Sequence, residues 1–393
     1  MSPLRFHWFL PTYGDSRYIV GGGHGVPPGA AGGARPATLA YLGQIARSAE
    51  QLGYVGALTP TGAWCEDAFI VDSMLASVTE TFKFLVAIRP GLISPTLAAQ
   101  MAASFQRYSN GRLLLNVVVG GEPHEQRAYA DFSDKAERYE RADEFLQIVH
   151  ALWERPNVNF KGRFYQVENA TLPSRPDIRP PLYIGGSSGG AGPVTARHID
   201  VYLTWGEPTF AVAEKIARIR ALAAIERRTV RFGIRLHVIT RDTSEAAWAE
   251  ANRLLAAIDP ETIKSVQAGL ARSEGEGQKR MLALHNGSTA NLEIEPNLWA
   301  GFGLVRGGAG TALVGSHAEI AAKIKAYAAL GLEEFVLSGV PHLEEAYWFA
   351  EGVLPILRKE GLWSHPRGEV RQTSHVDIPF SPAATREPVA AAN

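Results

Sequence analysis

Eight times between the N-terminus and about residue 360, a short apolar run is followed by a longer amphipathic stretch. That repetition constrains the fold more than any single motif does. The apolar runs are Arg5–Leu10, Tyr54–Thr59, Phe82–Arg89, Arg112–Val119, Leu182–Gly185, Val201–Trp205, Phe232–Ile239 and Phe335–Ser338. Val, Ile, Leu and Phe fall on both faces of these runs, as they must in strands covered on both sides of a parallel sheet. Helical patterns follow at residues 39–52, 67–78, 95–108, 135–153, 191–198, 209–227, 244–257 and 343–358. Eight β-then-α units in succession predict an α/β fold, a (β/α)8 TIM barrel that closes on itself. A doubly wound open sheet is the alternative, but it rarely repeats the unit eight times without a break.

A minimal barrel needs ~250 residues, and this chain has 393. The surplus collects in three places. Residues 157–180 read as a hairpin followed by a Pro-rich loop. Residues 258–305, with Ser273-Glu-Gly-Glu-Gly inside them, leave the chain where barrel enzymes keep their active sites and read as a lid. Residues 364–393 read as an extended tail after a barrel domain spanning 1–363. Gly21–Gly33 lacks the Lys-Ser/Thr ending of a phosphate loop and reads as a flexible loop at the barrel mouth.

Charge and cysteine content narrow the function. With 39 basic and 40 acidic residues, nothing global favours nucleic acid or a membrane surface, so an anionic ligand must be met by local charge. Cys65 is the only cysteine, which excludes an intramolecular disulfide and speaks against a cysteine-rich zinc site. No secretory leader opens the chain and no run approaches the ~18 apolar residues of a membrane span, so a cytoplasmic location is expected. No His/Asp/Glu set has metal spacing, no Gly-x-Ser-x-Gly elbow occurs, and no Gly-x-Gly-x-x-Gly follows the first strand.

Chemistry in a barrel belongs at the C-terminal strand ends. Period-2 alternation in the seventh run puts Phe232, Ile234, Leu236 and Val238 against helices and points Arg235 and His237 into the barrel. A buried Arg is costly without an anion or a carboxylate, and the adjacent His favours a site over a plain ion pair. The fifth run ends in Gly185-Gly-Ser-Ser-Gly-Gly before a helix, where small residues, hydroxyls and the helix N-terminus suit a phosphate. Trp205, ending the sixth run, either lies against a flat ring or plugs the barrel. Arg306, in a Gly-rich segment ending the lid, suits closure over a sulfonate, phosphate or carboxylate. His342 opens the last helix, and Cys65, just before another, reads as a hydrogen-bonding neighbour of a cofactor and not as a nucleophile.

These motifs together resemble the bacterial luciferase-like superfamily, and within it the FMN-dependent alkanesulfonate monooxygenases. The matching stretches include Trp8-Phe-Leu-Pro-Thr, Cys65-Glu-Asp, Ala87-Ile-Arg-Pro-Gly, Tyr202-Leu-Thr-Trp-Gly-Glu-Pro, Phe232-Gly-Ile-Arg-Leu-His-Val-Ile, Asn297-Leu-Trp-Ala-Gly and Pro341-His-Leu-Glu-Glu-Ala-Tyr. The resemblance implies a two-component system, in which an NAD(P)H:FMN reductase supplies FMNH2. O2 and a small organosulfonate then react to give an aldehyde and sulfite. It implies that Cys65 and His237 stabilise the oxygen adduct of the flavin, that Arg235 is an acid or charge partner, and that Arg306 and His342 serve the sulfonate and closure. Trp205, Tyr139, Gly186 and Asn116 would contact the flavin, with Ser187 and Ser188 on its phosphate, and the enzyme would be a homodimer or homotetramer. Val340, Val119, Trp64 and Tyr13 depart from the family pattern, which has Tyr, Thr, Ser and His there. All four are expected at the barrel mouth, tuning the pocket toward substrates with more carbon to bury.

Overall fold

The computed structural model describes residues 3–19 and 33–368. Eight parallel strands form the wall: β1 (Arg5–Phe9), β2 (Gly56–Thr59), β3 (Lys83–Ile88), β4 (Leu113–Val117), β5 (Leu182–Gly185), β6 (Val201–Trp205), β7 (Arg231–Arg241) and β8 (Glu334–Ser338). Each pairs with the next, and β8 returns to β1 through Arg5 opposite Glu334, so the barrel closes as the repeat predicts. Closure follows from the alternation. Phe6, Trp8, Phe84, Leu115, Ile234 and Leu236 turn outward into one core with the helices. Phe9, Leu58, Leu85, Leu114, Tyr183, Leu203 and Val336 fill the interior. Glu334 lies fully buried at the barrel floor, accepting from the Tyr183 hydroxyl at 2.8 Å and pairing with His7 at 3.0 Å and with Arg231. Burial opposes its ionisation, but the His7 hydrogen bond and the charges of His7 and Arg231 outweigh it and hold the carboxyl at about 2.

The insertions depart from the expectation. Residues 157–180 do begin with an antiparallel hairpin, Val158–Lys161 with Gln166–Ala170. The region read as a lid loop instead carries the helices Pro260–Leu270 and Glu276–Ala283, the first capped by the Asp259 side chain. A further strand, Ala312–Ser316, and helix His317–Ala329 precede β8 and were not expected. The strand is a five-residue apolar run behind a Gly-rich stretch, too short to stand out from the lid. β7 is longer than predicted and serves two neighbours on one edge. Its residues 231–235 pair with β6, and 237–241 pair with Ala312–Ser316. The last helical pattern divides into His342–Gly352 and Leu354–Lys359, as Pro355 requires. Gly21–Gly33 lies almost wholly, and the tail beyond Gly368 entirely, outside the described residues. Among the described residues no helix is long and apolar enough to cross a membrane.

Candidate active site

At the C-terminal end of the barrel a chamber of about 120 Å³ is lined by Phe9, Trp64, Asn116, Trp205, Arg235, His237 and Arg306. Arg235 is buried with its guanidinium 4.6 Å above the Phe9 ring. It donates to the Leu236 carbonyl at 2.6 Å and to Ser338 Oγ at 2.9 Å. Arg306, also buried, stands 5.0 Å above the Tyr13 ring, and its Nε and Nη1 have no hydrogen-bond acceptor. Among the described residues neither Arg faces a carboxylate partner. Burial, then the charge of Arg306, brings Arg235 down to about 9. The Tyr13 hydroxyl is buried beside Arg306, and burial raises its pKa against the pull of that cation.

His237 stacks face to face on Phe302, with ring centres 4.0 Å apart. Its Nδ1 lies 2.7 Å from Ser338 Oγ and its Nε2 3.1 Å from the Ala309 carbonyl. Burial, followed by the charges of Arg235 and Arg306, pushes this imidazole well below its ordinary value, so it is neutral. His342 sits behind the wall and does not line the chamber. Its Nδ1 is 3.0 Å from Asp15 and its backbone N–H donates to the same carboxylate at 2.8 Å. Burial works against the Asp15 charge, but His342 prevails and holds the carboxyl at about 2. Cys65 is half-buried, its thiol donating to the Gly62 carbonyl at 3.5 Å, and Trp64 takes the place on the chamber wall. Burial pushes the thiol up to about 12.

Past Asn116 and Trp205 the chamber continues into a neck of about 160 Å³ beside Tyr139, Gly186, Ser187 and Ser188. A capping box of Asp134 and Glu137 starts helix Lys135–Glu154 and so fixes Tyr139. Gly186 has φ +132°, which only Gly adopts readily, and the Tyr202 hydroxyl ties its carbonyl at 2.7 Å. A Cβ at Gly190 would lie 2.7 Å from the Tyr139 ring. The neck opens into a groove of about 1280 Å³ bordered by Lys161, Arg218 and Lys279. Over it lies the insertion. Ser273 Oγ donates to Glu122 at 2.5 Å, the Glu274 N–H to Gly121 at 3.0 Å, and the Gly308 N–H to Gln278 at 2.9 Å.

Residues 4–334 match the luciferase-like monooxygenase model. The chain belongs to that family. Among solved structures it is similar to a riboflavin lyase, RcaE, determined with modified FMN and riboflavin, at TM-score 0.75 and 21% identity over 93% of each chain. It is likewise similar to a long-chain alkane monooxygenase, LadA, at 0.75 and 16% over 94% of each. DmoA from Hyphomicrobium sulfonivorans gives 0.75 and 19%, over 92% of this chain and 89% of that one. At these identities the three speak for the fold.

In this luciferase-like monooxygenase the closed barrel brings Arg235, His237 and Arg306 into one chamber, and Tyr139, Gly186, Ser187 and Ser188 into one neck, with Asn116 and Trp205 shared between them. Cys65 and His342 stand outside that chamber. Arg306, expected in the segment that closes over the ligand, is buried. Of the four departures, Trp64 lines the chamber and Val119 the neck, Tyr13 lies under Arg306, and Val340, two residues past β8, packs with Phe302 and does not line the chamber. Asp15, Phe302 and Ser338 escaped the sequence reading, and Tyr13 entered it only as a departure from the family pattern. They are ordinary residue types, and only the fold places Tyr13 and Ser338 on the arginines, Phe302 on His237 and Asp15 on His342.

Proposed function

We propose that this luciferase-like monooxygenase uses reduced FMN, supplied by a separate NAD(P)H:FMN reductase, together with O2 to cleave the C–S bond of small organosulfonates. The observation that carries the reading is the pair of buried guanidiniums, Arg235 and Arg306, converging on one chamber with no carboxylate between them among the described residues. Two cations held out of water at close range are costly unless an anion completes the site. The residues of the neck fit a flavin phosphate: two hydroxyls, Tyr139, a Gly backbone free of Cβ and a helix N-terminus. When bound, reduced FMN supplies the electrons that activate O2.

The roles of the chain follow from its chemistry. Ser187, Ser188 and Tyr139 would hold the phosphate, Trp205 would cover the flat ring, and Asn116 Oδ1, without a donor among the described residues, would be free to accept from the cofactor. Arg235 and Arg306 hold the sulfonate. His237, neutral, contributes a polar wall without adding a third charge. Cys65 acts at most as a neutral donor from behind Trp64, and the Asp15–His342 pair fixes the mouth. The neck is smaller than the ~300–1,000 Å³ of ordinary ligand sites, but it is continuous with the larger groove beside Ser187 and Ser188.

Another organosulfur substrate, such as a sulfone, would use the same flavin site but would leave the two charges unmatched. Hydride transfer on an F420-type cofactor would consume no O2. The test is sulfite release from a panel of sulfonates and sulfones, with FMN, NAD(P)H and a reductase present. Sulfite in step with O2 uptake is expected. Turnover without O2 uptake sinks the monooxygenase reading, and turnover of sulfones alone sinks the sulfonate.

A further inference from the structure

The contacts around Ser338 leave one arrangement of protons. A guanidinium has donors only, so Arg235 Nη2 at 2.9 Å must donate to Ser338 Oγ. The single hydroxyl proton of Ser338 then goes to His237 Nδ1 at 2.7 Å, and Nδ1 is the acceptor. The remaining ring proton sits on Nε2 and points at the Ala309 carbonyl, 3.1 Å away, which can only accept. Were His237 protonated, Nδ1–H and Arg235 would both donate to Ser338, and the serine proton would be stranded in a fully buried site. Arg235 from β7, Arg306 from the Gly-rich loop and His342 disfavour the cation too, while the Asp15 carboxylate is engaged by His342 and not by this ring.

Ala309 belongs to the same Gly-rich loop as Arg306 and as Gly308, whose N–H is held by Gln278 of the helix Glu276–Ala283. The loop therefore rests on the Nε2 proton on one side and on the covering helix on the other. We infer that Ser338 is a positioning residue: its hydroxyl, oriented by Arg235, fixes His237 as the Nε2–H tautomer, and that proton clasps the loop carrying Arg306. The two arginines are thereby linked through Arg235, Ser338, His237 and Ala309. One stands on the rigid wall and the other on the covering segment, so the anion site is complete only when the loop is seated. This inference concerns the resting protein and does not rest on the identity of the substrate.

The test is a pair of variants of equal shape, Ser338→Thr and Ser338→Val, which differ only in the hydroxyl. Histidine-selective ¹⁵N NMR at pH 7, with the His237 signal assigned by its loss in His237→Gln, reads the tautomer. Hydrogen exchange of the segment 304–311 reads the clasp. Wild type and Ser338→Thr are expected to show His237 as neutral Nε2–H. Ser338→Val is expected to mix the tautomers and to exchange about 3–10-fold faster in that segment, the loss of one buried hydrogen bond. Ser338→Ala, smaller than the native residue, serves as a second hydroxyl-free variant if both larger side chains disturb the fold. A wild-type His237 found as Nδ1–H or as a cation overturns the inference. So does equal exchange in the Thr and Val variants, or wild-type exchange in Ser338→Ala.

Discussion

Single side chains carry two tests. With its thiol pushed up to about 12 by burial, Cys65 holds a minute thiolate fraction near neutrality. Alkylation by iodoacetamide at pH 8 is expected to run at least about tenfold slower than for a free thiol, the greater nucleophilicity of a basic thiolate recovering part of the loss. The rate should still be climbing at pH 10. As the chain has one cysteine, mass spectrometry reads the result directly, and a plateau below pH 9 contradicts it. Arg306→Ala removes a cation from the chamber while leaving Ser187, Ser188 and Tyr139 untouched. Reduced-FMN affinity is expected to stay within about threefold, while sulfonate turnover falls by about tenfold or more, the value of a charged hydrogen bond. Unchanged turnover would exclude Arg306 from the anion site. At this scale the sequence was legible where alternation fixes direction: Arg235 and His237 point inward because their strand neighbours must point out. Ser338 was not legible, because its residue type signals no chemistry, and Tyr13 stood out only as a departure from the family pattern. Their importance comes from lying beside residues about a hundred or more positions away in the chain.

Strands and their helices were readable because burial on both faces leaves an unbroken apolar run, and β5 and β6 were found to the residue. The insertion was not. Its helix Glu276–Ala283 starts from Gly275 without a side-chain cap, and the run at Ala312–Ser316 has the length of any short apolar stretch. Yet this is the element that covers the neck. Gly277 presses on the Trp205 indole so closely that a Cβ would lie 3.0 Å from the ring. Gly277→Val is therefore expected to lift the segment off Trp205, shift tryptophan emission to the red, and weaken reduced-FMN binding by about tenfold, an overpacking cost of ~1–3 kcal/mol. Thermal stability should fall little, since the barrel core lies below. Flavin binding equal to wild type would mean that the segment does not bear on the cofactor site.

For the whole molecule, the outer face of helices Ala68–Leu75 and Pro95–Ser109 carries Ile70, Met74, Leu97 and Tyr108, which are 48–84% exposed around an apolar groove of about 570 Å³. A patch of this kind on a chain with 46% hydrophobic residues is expected to close a homodimer. Light scattering at micromolar concentration should give twice 42.5 kDa, and Ile70→Glu with Tyr108→Glu should return the monomer. A wild-type monomer would refute the oligomer expected from the sequence. The dual pairing of β7 has a reach beyond the active site. Both roots of the insertion are stitched to one strand, its exit through Arg241 and its return through Ala312–Ser316, so its ends stay a fixed distance apart whatever lies between them. A graft that keeps these two roots meets a ready-made socket. A cover of different length between the same two roots is expected to leave the eight-stranded wall unchanged.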